Sequence, residues 1–231
     1  MALPPLSGPS AGATSGKPAK QLVVFLHGVG SDGDDLIALA PYFAHWLPDA
    51  DFLSPHAPQA FDMADVGRQW FSFQDRSPEA ILAGTRGAAP GLNAYLDAEL
   101  QARRLADRDL ALVGFSQGTM MALHVALRRP AACAAVIGYS GLLASPDLLP
   151  VEMTARPPVL LVHGERDDVV PCAFMPLAEK ALSLMGVAVD SLTCPNLGHS
   201  INDDGLMAGI RFAARAFGIG MPLAGKPDDR D

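Results

Sequence analysis

Ser116 stands two residues from a glycine on each side, in Gly114-Phe115-Ser116-Gln117-Gly118. The run before it, Asp109-Leu110-Ala111-Leu112-Val113, reads as a buried strand, and Thr119 to Leu127 is apolar enough for a helix. A turn this tight between strand and helix drives the second residue on either side of the serine against neighbouring backbone. Glycine removes that collision and leaves the Ser116 hydroxyl exposed at the top of a sheet, as a candidate nucleophile. A hydroxyl attacks only when a base takes its proton, and the base in turn needs a carboxylate to fix its tautomer and orientation.

Histidine suits the role of base because its pKa lies near working pH. In chains with this type of elbow the order is serine, then acid, then histidine. That order sets aside His45 and His56. His27 and His163 each end an apolar run and precede glycine, so a hydrogen bond to the adjoining turn is expected of them. His124 falls within the helix after the serine. His199 remains, in Asn196-Leu197-Gly198-His199-Ser200, where Gly198 lets the backbone turn the ring inward.

For the acid, Glu165-Arg166-Asp167-Asp168-Val169-Val170 follows an apolar run directly. Asp167 and Asp168 compete; the Asp-x-Val-Val spacing favours Asp167, with Asp168 solvated or capping the next turn and Glu165 as a third option. A tetrahedral intermediate needs fixed N–H donors for its oxyanion. The amide of Gln117 is one, and the loop His27-Gly28-Val29-Gly30 offers the Val29 amide as the other. This loop has neither the register of a Gly-x-Gly-x-x-Gly dinucleotide turn nor a following Lys-Ser/Thr, which excludes the common nucleotide-binding readings.

The elements that must carry these residues alternate. Strands are expected at 22–26, 51–53, 109–113, 132–137, 158–162 and 187–193. Helices are expected at 34–46 (interrupted or kinked at Pro41), 90–105, 119–127, 172–185 and 203–217. Residues 54–77, with prolines and the aromatics Phe61, Trp70, Phe71 and Phe73, read as a long ordered loop, and 142–156 as a second one. Alternation of this kind implies a mostly parallel, doubly wound sheet whose carboxyl-end loops converge on the site. Residues 1–20 read as a flexible arm, 21–218 as one α/β domain and 219–231 as a loose tail.

Composition narrows the partners. With 231 residues, 49% of them hydrophobic, there is material for one large core. A net charge of −8 argues against nucleic acid, which needs clustered Lys and Arg. No run is long enough for a transmembrane helix, and the first residues make a poor signal peptide. The three cysteines, Cys133, Cys172 and Cys194, have neither metal spacing nor an even count, so free thiols in a reducing, cytoplasmic setting are expected.

Taken together, Phe25-Leu26-His27-Gly28-Val29-Gly30, Pro55-His56-Ala57-Pro58, Gln69-Trp70-Phe71, the Ser116 elbow, His163-Gly164-Glu165-Arg166-Asp167 and Gly198-His199 resemble the phospholipase/carboxylesterase family of α/β hydrolases. The resemblance runs from about Leu22 to about Phe217. It implies an α/β-hydrolase fold without a large cap domain, no metal or organic cofactor, a Ser116, Asp167, His199 triad, and oxyanion donors at Val29 and Gln117. It departs from the family at Val29, usually leucine, where only the amide is needed. It departs at Thr119, often glycine, and around Trp70, so substrate preference does not carry over. Phe61, Met63, Trp70, Phe71, Leu142 and Leu143 are the expected substrate-binding residues. The expected activity is hydrolysis of esters of small or medium acyl chains through an acyl-enzyme. A thioesterase or lysophospholipase with the same triad, and a non-catalytic binding protein on the same fold, are the alternatives. The expected partner is a small-molecule ester, without nucleic acid or stable membrane insertion; a homodimer is one option for assembly.

Overall fold

A computed structural model describes residues 5–220. Its strands are β1 (Ser10–Ala11), β2 (Gln21–Leu26), β3 (Ala50–Leu53), β4 (Gln59–Ala60), β5 (Arg68–Gln69), β6 (Leu110–Phe115), β7 (Ala135–Tyr139), β8 (Val159–Gly164) and β9 (Val189–Cys194). Its α-helices are α1 (Gly33–Leu36), α2 (Ala40–Ala44), α3 (Pro78–Arg103), α4 (Gln117–Ala126), α5 (Leu149–Glu152), α6 (Phe174–Leu184) and α7 (Asp203–Ala216).

The apolar runs form the centre of a seven-stranded sheet of order β1-β3-β2-β6-β7-β8-β9. All neighbours from β3 to β9 pair in parallel; β1 alone is antiparallel, on β3. Alternation along β2 shows how both faces are filled. Leu22, Val24 and Leu26 point into a core shared with α3, α4 and α6, whereas Val23 and Phe25 point into one shared with α2 and α7. Helix α4 is buried over its whole length, which fixes the elbow at its N-terminus from all sides.

Several expectations differ from the fold. The described part of the N-terminal arm is ordered against the sheet: Ser10 and Ala11 pair with Leu53 and Phe52, and Ser7 and Pro9 accept hydrogen bonds from His56 and Ser54. This segment covers the outer edge of β3, which would otherwise leave its backbone groups unpaired. Residues 1–4 of the arm, and 221–231 of the expected C-terminal tail, lie outside the described residues.

Helix α3 begins at Pro78, not Pro90. The Ser77 side chain accepts from the Ala80 N–H at 3.2 Å, Pro78 takes the first helical position, and Pro90 lies inside the helix. A buried stripe of Ile81, Thr85, Ala88 and Leu92 runs straight through Pro90. Packing of that stripe outweighs the one backbone hydrogen bond that proline removes. The 34–46 helix is divided into α1, a 3-10 turn (Ile37–Leu39) and α2, with Pro41 in the first turn of α2. The long loop at 54–77 contains the ribbon β4–β5, antiparallel with Gln59 opposite Gln69.

Candidate active site

The elbow is built where β6 meets α4. Ser116 has φ 53° and ψ −116°, a conformation an L residue holds only when its surroundings impose it. The imposition is visible at the two glycines. A Cβ on Gly118 would lie 1.8 Å from the Leu26 carbonyl oxygen, and one on Gly114 would lie 2.5 Å from the Gly118 backbone. The Ser116 N–H donates to the Tyr139 carbonyl at 2.9 Å. The Thr119 hydroxyl lies 2.8 Å from the carbonyls of both Gly114 and Tyr139, tying the turn to β7. Thr119 therefore buttresses the elbow where a glycine would leave space.

Two loops on the β8–β9 side place an imidazole and a carboxylate beside this turn. The Arg166 N–H donates to the Leu197 carbonyl at 2.8 Å and the Glu165 N–H to Cys194 at 2.9 Å, so the loops travel together. Gly164 permits the approach, since a Cβ there would lie 2.2 Å from the Gly198 oxygen. Asp167 is buried, and its Oδ2 lies 2.8 Å from His199 Nδ1. Its Oδ1 accepts from the amides of Val169 at 3.0 Å and Val170 at 2.8 Å. Burial alone would raise the Asp167 pKa; the His199 contact and the two amides outweigh it and hold the carboxyl below its ordinary value. Asp168 is exposed, and exposed Glu165 accepts from the Asn196 amide. The His199 ring is half-buried and lies 4.8 Å, centroid to centroid, from Phe115, the residue before the serine. With Nδ1 engaged by Asp167, Nε2 is the ring nitrogen left for proton transfer.

The β2 side supplies a loop with close backbone approach. Gly28 packs on the elbow: a Cβ there would be 3.2 Å from the Ser116 Cβ. As the first residue of α4, Gln117 has an N–H with no carbonyl a turn earlier to receive it. Among the described residues no turn or loop hydrogen bond uses the Val29 N–H. The Gln117 side chain performs a task the sequence did not announce. Fully buried, its Oε1 accepts from the Trp70 amide at 2.8 Å and its Nε2 donates to the Phe71 carbonyl at 2.9 Å.

His27 is locked as a neutral ring. Its Nδ1 faces the Gly28 carbonyl at 2.8 Å, its Nε2 accepts from the Ala57 amide at 2.9 Å, and burial lowers its pKa. His124 is buried within α4, and burial, with Arg128 nearby, pushes its pKa down to about 4.

The six expected substrate-binding residues divide. Trp70 and Phe71 are 1% and 4% exposed. The Trp70 indole N–H donates to the His27 carbonyl at 3.0 Å, and Phe71 packs against Gly84 of α3. Both are buried in the core that β2 shares with α3 and α4. Phe61 lies against Gly30 of the first loop, and Met63 is exposed. Leu142 and Leu143, with Ile81, Phe174 and Leu177, line an apolar groove of about 290 Å³. Gly141 brings this wall to the elbow, since a Cβ there would be 2.9 Å from the Ser116 carbonyl oxygen.

Asp32, Asp34 and His56 gather ligand atoms within 4.8 Å of one another. His56 Nδ1, however, accepts from the Gly33 N–H, which leaves the proton on Nε2, and Asp32 Oδ1 caps α1. The cluster is a cap rather than a cation cage. No helix among the described residues is long and apolar enough to cross a membrane.

Comparison with known proteins agrees with this construction. The phospholipase/carboxylesterase family model matches residues 11–215. Esterase YpfH of Escherichia coli is 29% identical over 219 residues, covering 93% of each chain. Acyl-protein thioesterase 1 of Saccharomyces cerevisiae is 28% identical, covering 67% of this chain and 74% of its own. The crystal structure of esterase PE8 superposes with a TM-score of 0.89 at 41% identity, over 92% of this chain and 99% of that one. A strained serine elbow, a parallel sheet that carries it, and these likenesses lead to one assignment: the chain is a carboxylesterase-type hydrolase of the phospholipase/carboxylesterase family.

Proposed function

We propose that the protein hydrolyses carboxylic esters of small or medium acyl chains through an acyl-enzyme on Ser116. The observation that carries this reading is the 2.8 Å contact between His199 Nδ1 and buried Asp167, beside the elbow. His199 Nε2 takes the Ser116 proton as Oγ attacks the ester carbonyl. The oxyanion is received by the N–H groups of Val29 and Gln117, and Asp167 stabilises the imidazolium. Collapse of the tetrahedral species breaks the C–O bond, and His199 returns the proton to the leaving alcohol. Water then gives its proton to His199, attacks the acyl-enzyme, and the acid leaves as Ser116 recovers its hydrogen.

Acyl-chain length is read by the groove at Leu142 and Leu143. A thioesterase or lysophospholipase activity uses the same machinery, and the apolar groove favours it for substrates with longer chains. Three free cysteines support a reducing, cytoplasmic setting.

The test is a series of p-nitrophenyl esters of graded chain length, an acyl thioester and a lysophospholipid, assayed with wild type and Ser116→Ala. Turnover of short and medium esters that falls by about 10⁴-fold or more in the variant supports the reading. Wild-type turnover in Ser116→Ala overturns it, and a thioester preferred at every chain length moves the assignment to the second activity.

A further inference from the structure

The roles proposed above leave one histidine at the site unused. His163 is the penultimate residue of β8 and is 2% exposed. Its Nε2 lies 2.8 Å from the Val170 carbonyl oxygen and 3.3 Å from Asp167 Oδ2. A carbonyl oxygen only accepts, so Nε2 carries a proton and donates it. The N–H is aimed at Val170, and the positive edge of the ring that carries it also lies beside Oδ2, the oxygen that His199 Nδ1 approaches at 2.8 Å.

The same residue closes the loop that carries the acid. His163 donates to the carbonyl of Val170, and the amide of Val170 donates to Asp167 Oδ1 at 2.8 Å. One strand end therefore acts on both carboxylate oxygens: on Oδ1 by hydrogen bonds relayed through Val170, and on Oδ2 by the proximity of the polarised ring edge. We propose that His163 is a positioning residue that orients the Asp167 carboxylate and moderates the negative charge it presents to His199. The inference rests on the reading of Asp167 as the acid.

The consequence follows from the charge. A carboxylate partly balanced by His163 stabilises the His199 imidazolium less than a bare one does. His199 then returns its proton to the leaving group more readily. The titratable groups facing Asp167 are His163 from β8, His199 from the loop after β9, and Cys172 ahead of α6, whose thiol is raised by burial and by the Asp167 charge. Glu165, on the loop of Asp167 itself, is engaged with Asn196.

The experiment is the pH profile of kcat and kcat/KM for wild type, His163→Leu and His163→Gln, with Asp167→Asn and Asp168→Asn alongside. Rates are normalised by titration of active serine with a fluorophosphonate, so misfolded protein does not enter. In His163→Leu, kcat falls about tenfold with KM unchanged, and the acid limb of kcat/KM moves up by about half to one pH unit. His163→Gln restores most of kcat and the wild-type limb, because its amide nitrogen takes the place of Nε2. If the Leu variant does not fold, His163→Asn replaces it, its amide being too short to reach the Val170 carbonyl. An unmoved acid limb in His163→Leu, or a Gln variant as impaired as the Leu variant, overturns the proposal while Asp167→Asn is inactive. Wild-type activity in Asp167→Asn instead overturns the reading of Asp167 as the acid, and with it this inference.

Discussion

The two sides of the site are pinned by side chains of the same size class and different charge. On the β2 side, the Gln117 carboxamide grips the backbone of Trp70 and Phe71, more than forty residues away in sequence. On the β8–β9 side, the Asp167 carboxylate grips two amides of its own loop and the His199 ring. A carboxamide donates and accepts, so it holds backbone N–H and C=O alike, and it does so at any pH. A carboxylate only accepts, and it joins its loop to the His199 ring. The first side is held by neutral hydrogen bonds, the second by charged ones.

Four experiments would break or sharpen this contrast. The largest expected effect is at the charged pin. Asp167→Asn keeps the shape and removes the charge, and kcat should fall by about 10⁴-fold while Asp168→Asn stays within about twofold of wild type; steady-state kinetics on a p-nitrophenyl ester decides between the two carboxylates. Next is the backbone between the sides. Gly118→Ala puts a methyl 1.8 Å from the Leu26 oxygen, and neither backbone can yield, so a loss of at least about 4 kcal/mol in urea unfolding is expected. A variant that folds within 1 kcal/mol (roughly) of wild type would show that the elbow has slack.

The neutral pin comes third. Gln117→Ala orphans the Trp70 amide and the Phe71 carbonyl, at about 1–3 kcal/mol for each buried group. Its activity loss should be the same at every pH, and a shifted pH profile would contradict the division of labour. The smallest effect is acid stability. The Asp167 pKa is depressed in the folded chain, so its contribution is fully present above the unfolded value of about 3.9 and is lost as pH falls through the folded value. The Tm difference between wild type and Asp167→Asn should be constant at neutral pH and narrow below about pH 4. A constant difference down to pH 2 (about two units below the unfolded Asp value) would mean that the carboxylate is not stabilised by folding.

Legibility in the sequence followed the range of the interactions involved. The strands expected at 22–26, 109–113 and 158–162 match β2, β6 and β8 to within two residues, because burial on both faces demands an uninterrupted apolar run. Helix α3 was misread at its start because Pro90 resembles a boundary locally. The buried stripe of Ile81, Thr85 and Ala88 was the signal that could have corrected it. The burial of Trp70 and Phe71 is not legible locally, because a loop aromatic carries no mark of the direction in which it packs. Ser10 and Ala11 looked like a loose arm because an edge strand of two residues has no periodicity to detect.

The sequence alone determined the elbow, since a strained serine turn requires glycine at fixed offsets, and it determined the serine-acid-histidine order of the candidates. It also determined the alternation of strands and helices. Only the tertiary structure brought Asp167 rather than Asp168 against His199, turned His163 onto the same carboxylate, and set the Gln117 side chain as the clasp of a loop forty-six residues away. Backbone strain and apolar periodicity are properties of neighbouring residues and are written in short stretches. The direction of a carboxylate or a carboxamide is set by whichever amides and rings the sheet delivers to it, and those come from distant parts of the chain.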